Sequence, residues 1–190
     1  MDYLWTPWRY AYLAGPDRGA RPGVPQALAA WPGDAHCVFC NLVAAADYAV
    51  EHGMSAEQAD QAANIVLRSE KMFVCLNSFP YSTGHLMIVP YAHIDELAAL
   101  DPVASLEMMS LAQSAERVLR QTYAPQGLNL GLNLGQAAGA GVTGHLHLHV
   151  LPRWIGDSNF MTVVAETRVL PEALEVTWKR LRDGFAALER

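Results

Sequence analysis

Apolar residues in the second half of the chain recur at two spacings. Behind Asp101-Pro102, the residues Ala104, Met108, Leu111, Ala115 and Val118 are three or four apart. That spacing puts them on one face of a helix. Asp101 supplies an N-cap and Pro102 suits the first helical position. A second segment opens at Pro171 and repeats Leu174, Trp178, Leu181, Phe185 and Leu188 in the same way, predicting a C-terminal helix. Between and before these lie runs of strand length: 72–76, 86–89, 129–134, 145–151 (ended by Pro152) and 160–164. Two strands, a helix, three strands and a last helix predict an α+β fold with a mostly antiparallel five-stranded sheet.

The N-terminal part is less regular. Residues 15–33 are rich in Gly and Pro and predict a loop or mobile segment. The aromatic stretch Leu4-Trp5-Thr6-Pro7-Trp8-Arg9-Tyr10 is expected to pack on the body or on a partner subunit, because such rings bury large apolar areas. The expected organisation is an arm and loop over 1–36, a central domain over 37–165 and a helical extension over 166–190.

Composition narrows the function. The 190 residues carry a net charge of -6, which argues against a nucleic-acid groove. Charged residues make up 17% of the chain, a low share that agrees with part of the surface being covered in a homodimer. No apolar run reaches the length of a membrane span, and the start does not read as a secretory signal. Three cysteines do not make a disulfide framework. The expected location is the cytoplasm, with no membrane or nucleic-acid partner.

The candidate chemistry is concentrated in His145-Leu146-His147-Leu148-His149-Val150-Leu151. On a strand, alternate residues share a face, so the three imidazoles project together, ~6.6 Å apart along the chain. A solvated polar face and a triple-histidine metal site are the alternatives. The second lacks the acidic ligand expected close downstream, since the first acid is Asp157. The preceding segment favours phosphate chemistry. Six glycines stand from Gly127 to Gly144, among them Gly139 and Gly141. Glycine lets backbone N–H groups come close to anionic oxygens. A neutral imidazole is a competent nucleophile toward phosphorus, and a neighbouring ring can protonate the leaving oxygen. Separately, Cys37-Val38-Phe39-Cys40 has the spacing of half a zinc site, and by itself is equally readable as a redox pair or as chance.

The histidine strand resembles the signature of the histidine triad (HIT) superfamily of nucleotide hydrolases and transferases. Gly84-His85-Leu86-Met87-Ile88-Val89-Pro90 is similar to that family's earlier Gly-His strand. The opening aromatic stretch, Gly131-Leu132-Asn133-Leu134-Gly135 and Pro152-Arg153-Trp154 resemble its diadenosine tetraphosphate phosphorylase-like branch. The resemblance implies a HIT-like fold that pairs as a homodimer. It further implies cleavage of dinucleoside polyphosphates such as diadenosine tetraphosphate through a nucleotidyl-histidine intermediate on His147.

By the same resemblance His149 contacts the phosphate and the leaving oxygen, His145 holds the nucleophile's surroundings, and His85 is the fourth, upstream histidine. Asn77, Asn133 and Trp154 match nucleotide-site positions, and backbone N–H groups near Gly139 and Gly141 are candidates for the phosphate. Val142 departs from the Ser or Thr of many members, unless Thr143 substitutes. His93 and His145 match the two histidines that complete a Cys2His2 zinc site with Cys37 and Cys40 in some members. No organic cofactor is implied. His36 is expected to be exposed, His52 to be uninvolved and Cys75 to be a small core residue. A nucleotide-binding or zinc-responsive interaction protein with little turnover, or a hydrolase of nucleoside phosphoramidates, are the alternatives.

Overall fold

The computed structural model describes residues 21–157 and 172–188. The opening aromatic stretch, the strand expected over 160–164 and Pro171 lie outside them. The described chain forms α1 (Val38–Glu51), α2 (Ala56–Ala62), β1 (Ile65–Arg68), β2 (Met72–Leu76), β3 (Leu86–Pro90), α3 (Pro102–Tyr123), β4 (Gly127–Leu132), β5 (Leu148–Arg153) and α4 (Leu174–Leu188). The five strands make one antiparallel sheet in the order β1-β2-β3-β5-β4. The fold is α+β, as expected from the pattern.

Alternation along the strands divides the molecule into two layers. Even-numbered residues Met72, Val74, Leu76, Leu86, Ile88, Leu148 and Val150 point to one face. They are covered by Met108, Leu111, Ala115 and Val118 of α3 and by Trp178, Leu181 and Phe185 of α4. The stripe predicted on α3 is therefore the face that is buried. Asp101 caps this helix by accepting from the N–H groups of Val103 and Ala104, both at 2.9 Å. The two helices cross closely at Gly184, where an added Cβ would stand 2.7 Å from Val118 Cγ1. The opposite face carries Phe73, Cys75, Met87 and Val89 against Phe39, Ala45 and Ala46 of α1 and Ala59 of α2.

Several expectations are corrected. Helices α1 and α2 and strand β1 have no counterpart in the pattern analysis, so the sheet begins with β1 at its edge. α1 is apolar almost all round its first three turns, which blurs the stripe, and β1 has only four residues. The segment expected as a strand over 145–151 enters the ladder only at Leu148 and runs on to Arg153. Pro152 lies inside it and does not end it. The ladder to β3 stops at Val150, so the missing N–H has nothing to bond there, and the Pro152 carbonyl accepts from Ser82 Oγ instead. The strand expected over 129–134 is shifted to Gly127–Leu132.

The described part of the Gly/Pro-rich loop is held in place. Leu28 is buried, and Arg21 donates to the carbonyls of Ala29 and Trp31. The wholly buried Asn41 donates to Pro22 O and Asp34 Oδ1 and accepts from the Ala35 N–H.

Trp178 joins α4 to the edge strand by donating from Nε1 to the Ile65 carbonyl at 2.7 Å. Trp178→Phe keeps an aromatic ring, though a smaller one, and leaves a buried acceptor without this donor. The expected loss is about 1–3 kcal/mol, read as a lower urea midpoint with an unchanged slope.

Candidate active site and metal centre

Odd-numbered residues of β3 and β5 share the face toward α1, and His149 lies on it opposite Met87 and Gly131. His85 directly precedes β3 on the same parity. It follows Gly84, whose φ of +79° strains any other residue and whose neighbours Leu119, Tyr123 and Pro152, at 3.1–3.4 Å from an added Cβ, would have to give way slightly. His145 and His147 precede β5, His145 at a bend and neither in the ladder. All four imidazoles are buried: His85 and His145 are 1% exposed, His147 5% and His149 8%. Buried rings need partners, and the partners fix which nitrogen carries hydrogen.

Three of these assignments follow from backbone groups, and the fourth from one of those three. The Tyr81 N–H can only donate, and it lies 3.2 Å from His85 Nδ1, with Asn77 Nδ2 at 3.4 Å from the same atom. His85 Nδ1 is therefore an acceptor and its hydrogen sits on Nε2. That nitrogen is 2.9 Å from His149 Nδ1, so His85 donates to His149, whose own hydrogen is on Nε2. The Pro90 and His145 carbonyls can only accept. His145 Nε2 donates to Pro90 O at 2.9 Å, and His147 Nδ1 donates to His145 O at 2.8 Å. His147 is thus left with its lone pair on Nε2. Among the described residues Thr83 Oγ1 is the one fully buried side-chain N or O atom without a partner, so His147 Nε2, which has no hydrogen bond, retains contact with the surface.

His147 and His149 rings stand 4.8 Å apart, edge to face. The arrangement offers a base or nucleophile at one ring and a hydrogen donor at the next. Burial lowers the pKa of His147 below the ordinary imidazole value of 6.5, and that of His145 likewise, partly offset by the carbonyl each donates to.

His145 has a second task. Its Nδ1, freed by the Pro90 bond, lies 3.3 Å from Cys37 Sγ and 3.6 Å from Cys40 Sγ, while His93 Nδ1 is 3.4 Å from Cys40 Sγ. The four donor atoms all lie within 4.8 Å of one another. A tetrahedral zinc ion with Zn–S of about 2.3 Å and Zn–N of about 2.0 Å has S···N edges of ~3.5 Å. The cluster fits such an ion, and the Pro90 carbonyl acts as the outer partner that orients a ligating histidine. In the metal-free arrangement burial and the neighbouring Cys37 push the Cys40 thiol up to about 11, a cost that a cation between the sulfurs removes.

Other candidate residues are placed as follows. Asn133 directly follows β4, whose last pair in the ladder is Leu132 with Leu148. Gly139, at a φ of +84°, ends the short 3-10 turn Gln136–Ala138, and Gly141 follows in the loop that leads to His145. Trp154 directly follows β5 at a turn held by Asp157, which binds Arg153 twice and accepts the Trp154 N–H. Val142 packs with the α1-side core and Thr143 is exposed. His36 is exposed, His52 stacks on Tyr48 and Cys75 is wholly buried. Pattern reading missed Phe39, Tyr81 and Pro90, because two act through backbone groups and the third through a ring contact set by how α1 packs on the sheet.

A face-sharing set of histidines beside a Cys2His2 cluster on a five-stranded sheet defines the class as a histidine-triad protein. The chain belongs to the HIT family: the HIT domain matches residues 58–154. It is 36% identical, over 98% of its own length and 85% of the relative's, to the AP-4-A phosphorylase of Mycobacterium tuberculosis (strain H37Rv). Among solved structures it resembles a Zn-bound histidine triad family protein from Mycobacterium smegmatis (27% identity, TM-score 0.58, covering 80% of this chain and 95% of that one). It shares its fold with the hypothetical histidine triad nucleotide-binding protein ST2152 of Sulfolobus tokodaii (24% identity, TM-score 0.60, 81% and 95% covered). The two cysteines precede the matched domain.

The lowered pKa values of His145 and His147 set a pH dependence. Below 6.5 the unfolded chain binds these protons while the folded chain does not, so stability is complete above that value and is lost as pH falls through it toward the lower folded values. Urea midpoints measured on metal-free protein from about pH 7.5 down to about pH 5.5 are expected to fall steadily in the acid half of that range.

Proposed function

We propose that the protein is a nucleotidyl transferase or hydrolase that cleaves dinucleoside polyphosphates, diadenosine tetraphosphate foremost, through a covalent intermediate on His147. The observation that carries this reading is the pair of opposite tautomers: a lone pair on His147 Nε2 and a hydrogen on His149 Nε2, each imposed by a chain of bonds ending on the backbone. Similarity to AP-4-A phosphorylase over 98% of the chain supports the substrate class.

In this mechanism His147 Nε2 attacks the α-phosphorus, the phosphorus–nitrogen bond forms and the bond to the bridging oxygen breaks. His149 Nε2–H gives its proton to the leaving oxygen, while His85 holds its other nitrogen. The His145 carbonyl stabilises the positive charge that builds on His147, through Nδ1–H. Negative charge on the phosphoryl oxygens is met by donors already in place, for which Asn133 and the backbone N–H groups near Gly139 and Gly141 are assigned. Asn77 and Trp154 are assigned to the nucleotide. Water or inorganic phosphate then takes the nucleotidyl group from His147, giving a monophosphate or a diphosphate. Val142 in place of a hydroxyl residue reduces the donors on that side of the phosphate.

Cys37, Cys40, His93 and His145 are assigned to a structural zinc ion. Bound there, the metal ties α1 to the segment that carries the reactive histidine and supplies no reacting group. Both side-chain nitrogens of His145 are then occupied, so its contribution to catalysis passes through its carbonyl. A homodimer joined along the exposed edge strand β4 is consistent with the half-exposed Leu130 on it.

His147→Ala is expected to reduce turnover of diadenosine tetraphosphate by at least about a thousandfold while nucleotide binding stays measurable. In the parent, brief incubation with labelled substrate should yield an acid-labile, base-stable protein adduct that the variant lacks. Unimpaired turnover by the variant would overturn the mechanism. Running the reaction with and without phosphate, and separating monophosphate from diphosphate, identifies the acceptor. Tight nucleotide binding without cleavage of any dinucleotide would favour an interaction protein instead. Cys40→Ser is expected to weaken zinc binding by more than about tenfold, measured as metal content after dialysis against a chelator.

A further inference from the structure

Of the two residues between the cysteines, Phe39 touches the histidine assigned as the nucleophile. Phe39 is 3% exposed on the first turn of α1. Its ring lies 5.1 Å from that of His147, tilted by 49°, and 5.4 Å from that of His145, edge-on at 71°. Phe73 of β2 backs it at 6.5 Å, also edge-on. His147 has one hydrogen bond, through Nδ1, to the His145 carbonyl. A single bond leaves an imidazole free to rock about that axis. The remaining restraints are His149 on one side and Phe39 on another.

We propose that Phe39 is a positioning residue for His147: its ring, fixed between Cys37 and Cys40 and backed by Phe73, holds the plane of the His147 imidazole so that Nε2 faces the bound phosphate. The metal cluster then reaches the reactive ring by two routes. One runs through His145 and its carbonyl, and the other through Phe39. Wedging an apolar ring beside the imidazole also keeps water from the Nδ1–H···O=C bond, which would otherwise compete for the carbonyl and release the other tautomer.

Catalytically the inference rests on the nucleotidyl-transfer reading; structurally it does not. It is tested on the full chain loaded with zinc, using Phe39→Leu, which nearly conserves volume, and Phe39→Ala. Both variants are expected to keep the zinc content of the parent. KM for diadenosine tetraphosphate should change by less than about twofold, while kcat falls by about 10- to 100-fold in Phe39→Ala and less in Phe39→Leu.

Imidazole 15N–1H correlation spectra give a reading that needs no substrate. The parent should show His147 in one Nδ1–H tautomer, and Phe39→Ala should show a mixture. Should Phe39→Ala not fold, Phe39→Leu carries both measurements. An unchanged kcat, a single unmixed tautomer in the variants, or loss of zinc from them would overturn the proposal. A parent that cleaves no dinucleotide but loses tautomer purity on substitution would overturn the functional reading and leave the positioning role standing.

Discussion

The hydrogen bond from His147 Nδ1 to the carbonyl of His145, 2.8 Å long, is the constraint on which the site depends. It is possible because the two residues stand just before β5, His145 at a bend, and do not spend that carbonyl on the ladder. Had the strand begun at His145, the carbonyl would have been drawn into sheet pairing. The irregular entry to β5 thus releases one backbone acceptor in a buried place, and the imidazole takes it. Its other nitrogen is left with a lone pair, and burial keeps the ring uncharged.

Around this bond the molecule is built in two layers with different duties. The layer of α3 and α4 covers the aliphatic face of the sheet with Met108, Leu111, Val118, Trp178 and Phe185, and carries none of the site. The layer of α1 and α2 covers the face with the histidines. There Cys37, Phe39 and Cys40 stand on one turn of helix and meet His93, His145 and His147 from elsewhere in the chain. The sheet thus stands between the larger aliphatic core and the four buried imidazoles.

The pattern of residues made much of this legible. The stripe of α3, its Asp101 cap, strands β2 and β3 and the common face of His147 and His149 all follow from spacing. The spacing of Cys37 and Cys40 left a half zinc site, a redox pair and chance all open, and the histidines matched through the family resemblance, His93 and His145, are the ones brought to them. What was illegible has physical causes. β1 is four residues long and α1 is too uniformly apolar to show a stripe. The end of β5 depends on where its ladder to β3 stops, which Pro152 alone does not tell.

By itself the sequence determined the period of the main predicted elements, the fold class and the residues proposed to carry the chemistry, because these rest on residue type and on distances along the chain. Only the tertiary structure decided the tautomers. Whether a ring nitrogen carries hydrogen depends on what faces it, and the facing groups are the Tyr81 N–H, the Pro90 carbonyl and the His145 carbonyl, which every residue possesses and no side-chain pattern distinguishes. The same holds for Phe39, whose place beside His147 is set by how α1 lies on the sheet.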